Sequence, residues 1–343
     1  MLFAKLPLSP QVQSSIDPLE HRSFAMRKAA LLYNPDSGAK RAKPQRDLES
    51  AVAVLRAADI EADLVPTESR DHGGEATREA IAAGCDTIFA CGGDGTIHNI
   101  AQVLANSQVK LGILPMGTAN ALAHDLKIPV DVVRAAKAAL EAVPRKVALG
   151  RVSYLDLQGT QRSRFFVFAV GVGVDAHLFY QLHTGTKQRM GMAAYYLKAW
   201  HLWFTYSMTR FSAEYVESGS NQTRTVDVTE LMGIRIRNFG GVVQELAPGA
   251  SLDRDDMRLV FCRTDSRIAY LAYVTRGLLR QRWKIPGIDL VYSTNVTCRY
   301  RAAASATGQK IYVEADGELL GTLPAAITIE PDALTLLAPA RAG

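Results

Sequence analysis

A run of glycines around a single aspartate is the part of the sequence best suited to carry chemistry. Gly92-Gly93-Asp94-Gly95-Thr96 follows the apolar segment 86–91 and precedes a segment with helical spacing. Glycine lets the backbone approach a ligand closely, and the free amides at a helix start attract anions. The Asp94 carboxylate can hold magnesium or accept a hydroxyl proton. The run predicts a phosphate site, although an isolated Gly-Asp-Gly is as typical of a tight turn.

Two further loops favour the phosphate site over the turn. Segment 34–38 (Asn-Pro-Asp-Ser-Gly) ends the first apolar run, and segment 114–120 (Leu-Pro-Met-Gly-Thr-Ala-Asn) ends the fourth. If the strands are parallel, all three loops lie at one edge of the sheet, where open α/β sheets bind ligands. Small polar side chains there can bond phosphate or ribose: Ser37, Thr96, Thr118 and Asn120. Neither common nucleotide signature is present, yet the three loops together predict nucleotide binding.

The elements that position these loops change character along the chain. Residues 26–147 alternate strand and helix patterns, which predicts an α/β domain with a parallel sheet. Residues 148–327 contain mostly strand patterns, which predicts a β-rich, antiparallel, sandwich-like second domain. One strand is expected at 165–170 and a helix at 267–283. A last strand, at about 335–338 within the range 328–341, is expected to return to the first domain. Residues 1–25 lack the basic start and apolar core of a secretory signal and are interpreted as a loose tail.

Composition limits the classes of function without choosing one. The 343 residues carry a net charge of +5 with pI near 9.0, which suits nucleic acid, an anionic membrane or a phosphate-bearing substrate equally. No run of eighteen apolar residues predicts a membrane-spanning helix. The cysteines lie at no metal-ligand spacing and favour buried thiols in a reducing compartment. They are Cys85, Cys91, Cys262 and Cys298.

The order of the three loops resembles the diacylglycerol kinase and sphingosine kinase superfamily, including its small bacterial lipid kinases. Segment 169–176 is similar to the family's first long strand of the second domain, and Asp316-Gly317-Glu318 is similar to its Asp-Gly-Glu near the C-terminus. The resemblance spans about residues 26–339. It implies a two-domain kinase that transfers the γ-phosphate of ATP to a hydroxyl group of a membrane lipid. The acceptor is diacylglycerol, or a sphingoid or ceramide-type lipid.

The resemblance also implies roles for individual residues. Those expected to bind ATP are Asn34, Ser37, Gly38, Thr67, Gly92, Gly93, Asp94, Gly95, Thr96, Gly117, Thr118 and Asn120. Asp94 is expected to lie close to a catalytic Mg²⁺. Either Asp94 or the acidic pair Asp316 and Glu318 is expected to be the catalytic base. Without the other motifs, Asp316-Gly317 is more typical of a hairpin turn.

Three positions depart from the family pattern. His98-Asn99 stands where Asn-Glu is common, and His there is similar to the sphingosine kinase branch. The Asn-Ala-Leu-Ala run at 120–123 is similar to that branch too. Arg254 replaces an expected Asp in a loop that holds a structural Mg²⁺ in the family. That site would have Ser251, Asp253 and Asp256 as ligands, and an acidic turn explains the loop equally well.

Two segments combine cations with aromatic residues and contain no acidic residue. They are 180–211 and 267–286, the second carrying Arg276, Arg280, Arg282 and Lys284. This composition suits the surface of an anionic bilayer, although the aromatic residues equally suit a core. With the implied lipid substrate, it predicts a cytoplasmic protein peripherally associated with the membrane. We expect no nucleic-acid partner, and a homodimer is compatible with the sequence.

Two rival functions remain open from the sequence. NAD kinase also uses Gly-Gly-Asp-Gly-Thr and would phosphorylate a soluble dinucleotide, but the 114–120 loop and the basic aromatic segments argue against it. A non-catalytic, nucleotide-dependent membrane-binding protein is favoured by the missing glutamate after the glycine run. It would bind ATP without turnover.

Overall fold

The computed structural model describes residues 26–35, 44–67, 73–174, 176, 208–239, 245–281, 283–301 and 309–339. The expected tail, Ser37, Gly38, Arg282 and nearly all of segment 180–211 lie outside these ranges. Within the described part of the chain, no helix is long and apolar enough to cross a bilayer.

The first half forms a parallel sheet flanked by helices. Its strands are β1 (Lys28–Tyr33), β2 (Glu61–Pro66), β3 (Thr87–Gly92) and β4 (Lys110–Pro115). Its helices are α1 (Pro44–Arg56), α2 (Gly73–Ala82), α3 (Asp94–Leu104), α4 (Ala121–Asp125) and α5 (Val132–Leu140). The strand order is β2-β1-β3-β4, and every residue of β3 and β4 is buried. Strands buried along their whole length are typical of parallel sheets covered on both faces.

The second half consists mainly of antiparallel strands. They are β5 (Val143–Leu155), β6 (Gln161–Phe166), β7 (Ala169–Gly173), β8 (Phe211–Glu217), β9 (Thr223–Val228), β10 (Glu230–Ile234), β11 (Met257–Cys262), β12 (Ile288–Tyr300), β13 (Tyr312–Ala315) and β14 (Glu318–Ala338). Helix α6 (Arg267–Leu278) packs beside them. The predicted fold class, a parallel α/β part followed by an antiparallel β-rich part, is confirmed. The residue limits predicted for the two domains stay predictions.

Strand β14 connects the two parts of the sheet. It pairs antiparallel with β13, β12 and β5, and its end pairs in parallel with β4, with Leu336 opposite Leu111. Most described strands therefore form one path, β2-β1-β3-β4-β14-β13-β7-β10-β11-β12-β8-β9, while β5 branches from β14 and pairs with β6. One hydrophobic cluster lies around the parallel strands and a second among the antiparallel strands.

Several predicted boundaries were wrong. The single strand expected at 165–170 is divided between β6 and β7, and β14 begins far before the expected 335. The helix expected to reach Trp283 ends at Leu278, because Arg280 adopts a left-handed backbone conformation with φ of 52°. Strand β9 and helix α5 were not predicted.

We predict that Leu336→Ala lowers the free energy of unfolding by about 2–5 kcal/mol, because it leaves a cavity where β14 meets β4. Leu336 is fully buried, whereas Val143, on the adjoining strand β5, is 58% exposed. Val143→Ala is therefore the matched control. Chemical denaturation followed by circular dichroism measures both. Equal, small effects would show that the end of β14 contributes little to the sheet.

Candidate active site

The predicted glycine loops meet at the carboxyl edge of the parallel sheet. Gly92 and Pro115 are paired at the ends of β3 and β4, so the loops that follow are neighbours. The backbones of Gly93 and Gly117 touch: a Cβ on Gly117 would lie 2.4 Å from the Cα of Gly93. Real Cβ atoms do not approach so closely, so only glycine fits at 117.

Asn120 holds the second loop in shape. Its Oδ1 accepts from the Gly117 amide at 2.9 Å, and its Nδ2 donates to the Gly117 carbonyl at 3.0 Å. Its backbone is left-handed, with φ of 49°, a conformation that asparagine tolerates better than most residues. Asn120 is buried and Thr118 is exposed. Thr118 therefore offers a polar side chain of this loop to a ligand.

The first loop is described only in part. Asn34 follows β1, and Thr67 follows β2 with its amide and hydroxyl both directed at the Tyr33 carbonyl, at 2.8 and 3.3 Å. Because β1 lies between β2 and β3, these residues share the edge with the glycine run. Their predicted contacts with a nucleotide stay predictions.

Asp94 begins α3 and links the two glycine loops. Its carboxylate accepts the backbone amides of Ala121 and Leu122 at the start of α4, while its Oδ1 is buried without a hydrogen-bond partner in the described part of the protein. Burial raises the pKa of Asp94 above its ordinary value, and the nearby Asp316 charge raises it further. An orphaned carboxylate oxygen with a raised pKa fits a proton acceptor or a ligand for a cation.

Asp316 is the most fully bonded carboxylate of the site. It lies in the turn between β13 and β14 with φ of 50°, and Gly317 follows with φ of 80°. Asp316-Gly317 therefore also forms the hairpin turn that is typical of this residue pair. The Asp316 side chain is entirely buried. It accepts the amides of Val167, Phe168 and Ala169 at 2.8–3.1 Å and Nδ1–H of His98 at 2.8 Å. These donors use the lone pairs that a base would need.

His98 connects Asp316 to an arginine that the sequence analysis missed. Nε2 of the fully buried His98 ring accepts from Nε–H of Arg164 at 3.0 Å, which leaves Nδ1 as the donor to Asp316. Arg164 also donates to Asn99 at 3.0 Å. The sequence offered one sign of this contact: the polar residues His98 and Asn99 stand where the family has other residues. Arg164 lies 66 residues away from His98, so no local pattern in the sequence could connect the two.

Glu318 faces the glycine run. One oxygen lies 3.6 Å from Nη2 of Arg164, the other 4.0 Å from a Cβ built on Gly95, and the side chain is 25% exposed. Unlike Asp316, Glu318 is therefore open to a ligand at the start of α3.

A largely apolar pocket of about 320 Å³ joins the two parts of the site. Asp94, Glu314 and Asp316 supply its carboxylates. Its apolar lining comes mostly from the β-rich half and includes Phe168, Val170, Met232, Ile234, Phe239 and Leu246. The pocket thus presents acidic groups beside a wall suited to hydrocarbon.

The loop expected to hold a structural magnesium has its carboxylates bound by arginine. Arg254 contacts both oxygens of Asp256, at 2.6 and 2.7 Å, and Arg145 contacts Asp253 at 2.7 Å. Ser251 donates to Asp253. In the described ranges no three acidic, His or Cys side chains cluster as a metal site. With its carboxylates paired to arginines, this donor set does not fit magnesium.

Comparison with known proteins finds the resemblance that the motifs predicted. The diacylglycerol kinase catalytic domain model matches residues 28–152. A diacylglycerol kinase of Bacillus subtilis (strain 168) is 26% identical over 302 residues, covering 87% of this chain and 92% of that one. One of Staphylococcus aureus (strain MRSA252) is 27% identical, covering 87% and 88%. The predicted resemblance to the diacylglycerol kinase superfamily is confirmed by these matches, and the relatives support a kinase.

A solved structure agrees on the fold. The crystal structure of a diacylglycerol kinase from Bacillus anthracis str. Sterne superposes with a TM-score of 0.65 at 18% identity, covering 91% of this chain and 97% of that one. The likeness extends over both halves of the kinase. It therefore includes the β-rich half that lies beyond the matched catalytic-domain model.

We predict that Asp316→Asn and Asp94→Asn have opposite effects on stability at pH 7. Asn at 316 would direct an NH₂ group at backbone N–H donors and should cost about 1–3 kcal/mol or more. A raised pKa means that the folded state disfavours ionised Asp94, so a neutral Asn there should leave stability equal or higher. Urea unfolding midpoints measure both variants. A stable Asp316→Asn protein would contradict the bonding pattern.

Proposed function

We propose that this kinase transfers the γ-phosphate of ATP to the hydroxyl group of a membrane lipid, a diacylglycerol or a sphingoid or ceramide-type lipid. The observation that carries the proposal is the pocket in which Asp94 and Asp316 meet an apolar wall. A soluble polar acceptor such as a dinucleotide would leave Phe168, Val170, Met232 and Ile234 without apolar contacts. A lipid alcohol places its hydroxyl at the carboxylates and its first chain carbons against that wall.

The nucleotide is expected at the glycine edge. The amides at the start of α3 and the exposed Thr118 are positioned to bind phosphate oxygens. Magnesium bound with ATP would neutralise these oxygens, and Glu318 is the carboxylate beside the glycine run that would hold it. Arg164 holds Glu318 next to that run.

The transfer needs one proton acceptor. The acceptor hydroxyl oxygen bonds to the γ-phosphorus as the bond between that phosphorus and the bridging oxygen breaks, and ADP leaves. We assign the hydroxyl proton to Asp94, since its Oδ1 has no described partner and its pKa is raised by burial. Asp316 is already saturated with donors, so it serves as a positioning residue at the pocket floor.

We predict that Asp94→Asn lowers kcat by about 10²–10⁴-fold, the usual size of general base catalysis. In the native protein, kcat/KM should fall as pH decreases through the Asp94 pKa, and this acid limb should lie above the ordinary aspartate value of about 3.9. Glu318→Gln should keep the acid limb and raise the magnesium concentration needed for activity. Radiolabelled ATP with a panel of lipids and thin-layer separation gives the rates. Loss of the acid limb in Glu318→Gln would make Glu318 the base.

The same panel decides between the rival functions. Label transferred to NAD and to no lipid would identify an NAD kinase. ATP binding without transfer to any acceptor would identify a non-catalytic protein. Label on a lipid alcohol supports the proposal, and the lipid that gains it names the acceptor.

Helix α6 supports peripheral association with a membrane. Its exposed apolar residues recur at helical spacing: Ile268 (79% exposed), Leu271, Val274 and Leu278, followed by Leu279 and Trp283. Arg280 and Lys284 are exposed close by. Arg276 was expected to share this surface, which was wrong, since it is only 5% exposed. A row of apolar side chains beside cations is suited to an anionic bilayer surface.

We predict that Ile268→Glu lowers binding to vesicles and turnover on vesicle-borne lipid, because a carboxylate on the apolar row opposes insertion. Turnover on a short-chain lipid dissolved in water should be unchanged. Vesicle sedimentation and paired rate measurements check this, with Asp265→Glu, at an exposed position before α6, as the control. Equal loss on both substrates would mean that α6 supports the active site instead of the membrane contact.

A further inference from the structure

A second and larger pocket lies on the β-rich half of the kinase. It has a volume of about 1010 Å³ and lies between strands β8, β9, β11 and β12 and the end of α6. Among the described residues it shares no lining side chain with the pocket at Asp94. Its lining includes five cations and one carboxylate, Asp289: the cations are Arg224, Arg258, Arg263, Arg276 and Lys284.

Three of these cations have no anionic partner in the described part of the chain. Arg263 pairs with Asp289 at 2.8 Å and Arg224 with Glu217 at 3.0 Å, whereas Arg258, Arg276 and Lys284 form no ion pair with any described residue. The pocket therefore has a positive excess that the described side chains do not neutralise. Such an excess favours an anionic ligand.

The guanidinium groups of Arg258 and Arg276 point to the same ligand chemistry. Arg276 is 95% buried, and its Nε, like that of Arg258, is buried without a hydrogen-bond partner among the described atoms. Arg258 is stacked on the Tyr292 ring at 4.1 Å, and Arg276 on the Tyr273 ring at 4.5 Å. These Nε atoms are closed to solvent, so an anion would meet the parts of the two guanidinium groups that line the pocket. Two guanidinium groups and an ammonium group around one pocket suit a phosphate.

The rest of the lining is apolar. Trp283, Ile285, Leu290 and Val291 would remain uncovered beside a small inorganic ion. Trp283 also continues the exposed apolar row of α6, so the pocket opens where the proposed membrane contact lies. A phosphate attached to hydrocarbon satisfies both the cations and the apolar surface.

We propose that this pocket binds the headgroup phosphate of an anionic phospholipid, which is distinct from the acceptor lipid. Arg258, Arg276 and Lys284 contact the phosphate, and the lipid chains follow Trp283 toward α6. The pocket is thus a site that recognises the membrane by its anionic lipid and not by charge alone.

One residue connects this site to the acceptor pocket. The carbonyl of Leu246 accepts bonds from Nη2 of Arg276, at 3.3 Å, and from the Tyr273 hydroxyl. The Leu246 side chain lines the acceptor pocket, and Pro248, two residues later, lines the phosphate pocket. A phosphate that fixes Arg276 therefore holds the wall of the acceptor pocket in place. This regulatory part rests on the proposed function.

Binding can be tested without any enzymatic activity. The full chain is titrated by calorimetry with dihexanoylphosphatidylglycerol, dihexanoylphosphatidylcholine and inorganic phosphate, all dissolved in water. We expect the phosphatidylglycerol to bind and the other two not to bind measurably. Lys284→Gln and Arg258→Gln should weaken binding about tenfold or more, because a charge-assisted hydrogen bond contributes about 1.5–3 kcal/mol.

Arg280→Gln is the matched control. It removes the same charge from the same segment, but Arg280 is exposed and does not line the pocket. Its affinity should match that of the native protein. Equal weakening by Arg280→Gln, equal binding of phosphatidylcholine, equal binding of free phosphate, or no binding at all would each overturn the proposal. Lys284 is exposed, so loss of the fold does not obscure its result.

The regulatory part has its own measurement. Dihexanoylphosphatidylglycerol should lower the KM for a water-dissolved acceptor about fivefold or more in the native protein, the lower end of usual allosteric coupling. It should leave the KM of Lys284→Gln unchanged. An equal response of both proteins would overturn the coupling. Absence of turnover on every lipid alcohol would instead refute the proposed function and leave the calorimetric result standing.

Discussion

The buried carboxylate of Asp316 is the interaction on which the active site depends. It lies in the turn between β13 and β14 and binds three successive amides of the β6–β7 connection and His98 of α3. One side chain thereby joins the β-rich half to the helix that begins with Asp94. A buried charge is stable only where such donors surround it, so losing one of the four hydrogen bonds would destabilise the buried carboxylate. The two halves are held in register by that requirement.

The chemistry at the cleft follows from a division between two acids. Asp316 has all its partners and little freedom, whereas Asp94 has a buried oxygen that the described side chains leave open. The same burial that makes Asp94 costly to ionise makes it a stronger base. Within one pocket, Asp316 therefore stabilises the structure and Asp94 is the carboxylate suited to reaction. Glu318, held by Arg164, adds a third that faces the glycine run.

Local patterns predicted the parallel strands and their loops well, because β1, β3 and β4 are continuous apolar runs followed by glycine turns. Long-range packing was not visible. Pro324 and Pro331 argued against a long strand in the sequence. Both lie at interruptions in the pairing of β14 with β5, and the pairing resumes beyond each of them. Arg276 is buried because its face of α6 meets Leu246, which the sequence of α6 alone does not show. The bond between His98 and Arg164 joins residues that are far apart in the sequence, so it could not be predicted either. Roles drawn from the family for single residues are not tested by geometry alone.

The course of β14 has a consequence for how the protein is made. A chain emerges from the ribosome in order, so β4 at 110–115 is synthesised long before its partner at 335–336. Until then the edge of β4 has unpaired backbone groups, and such edges invite association with other chains. Pairing across more than two hundred residues also closes slowly. Nascent chains should therefore need protection by chaperones until translation is nearly complete, although residues 28–152 alone match a domain model.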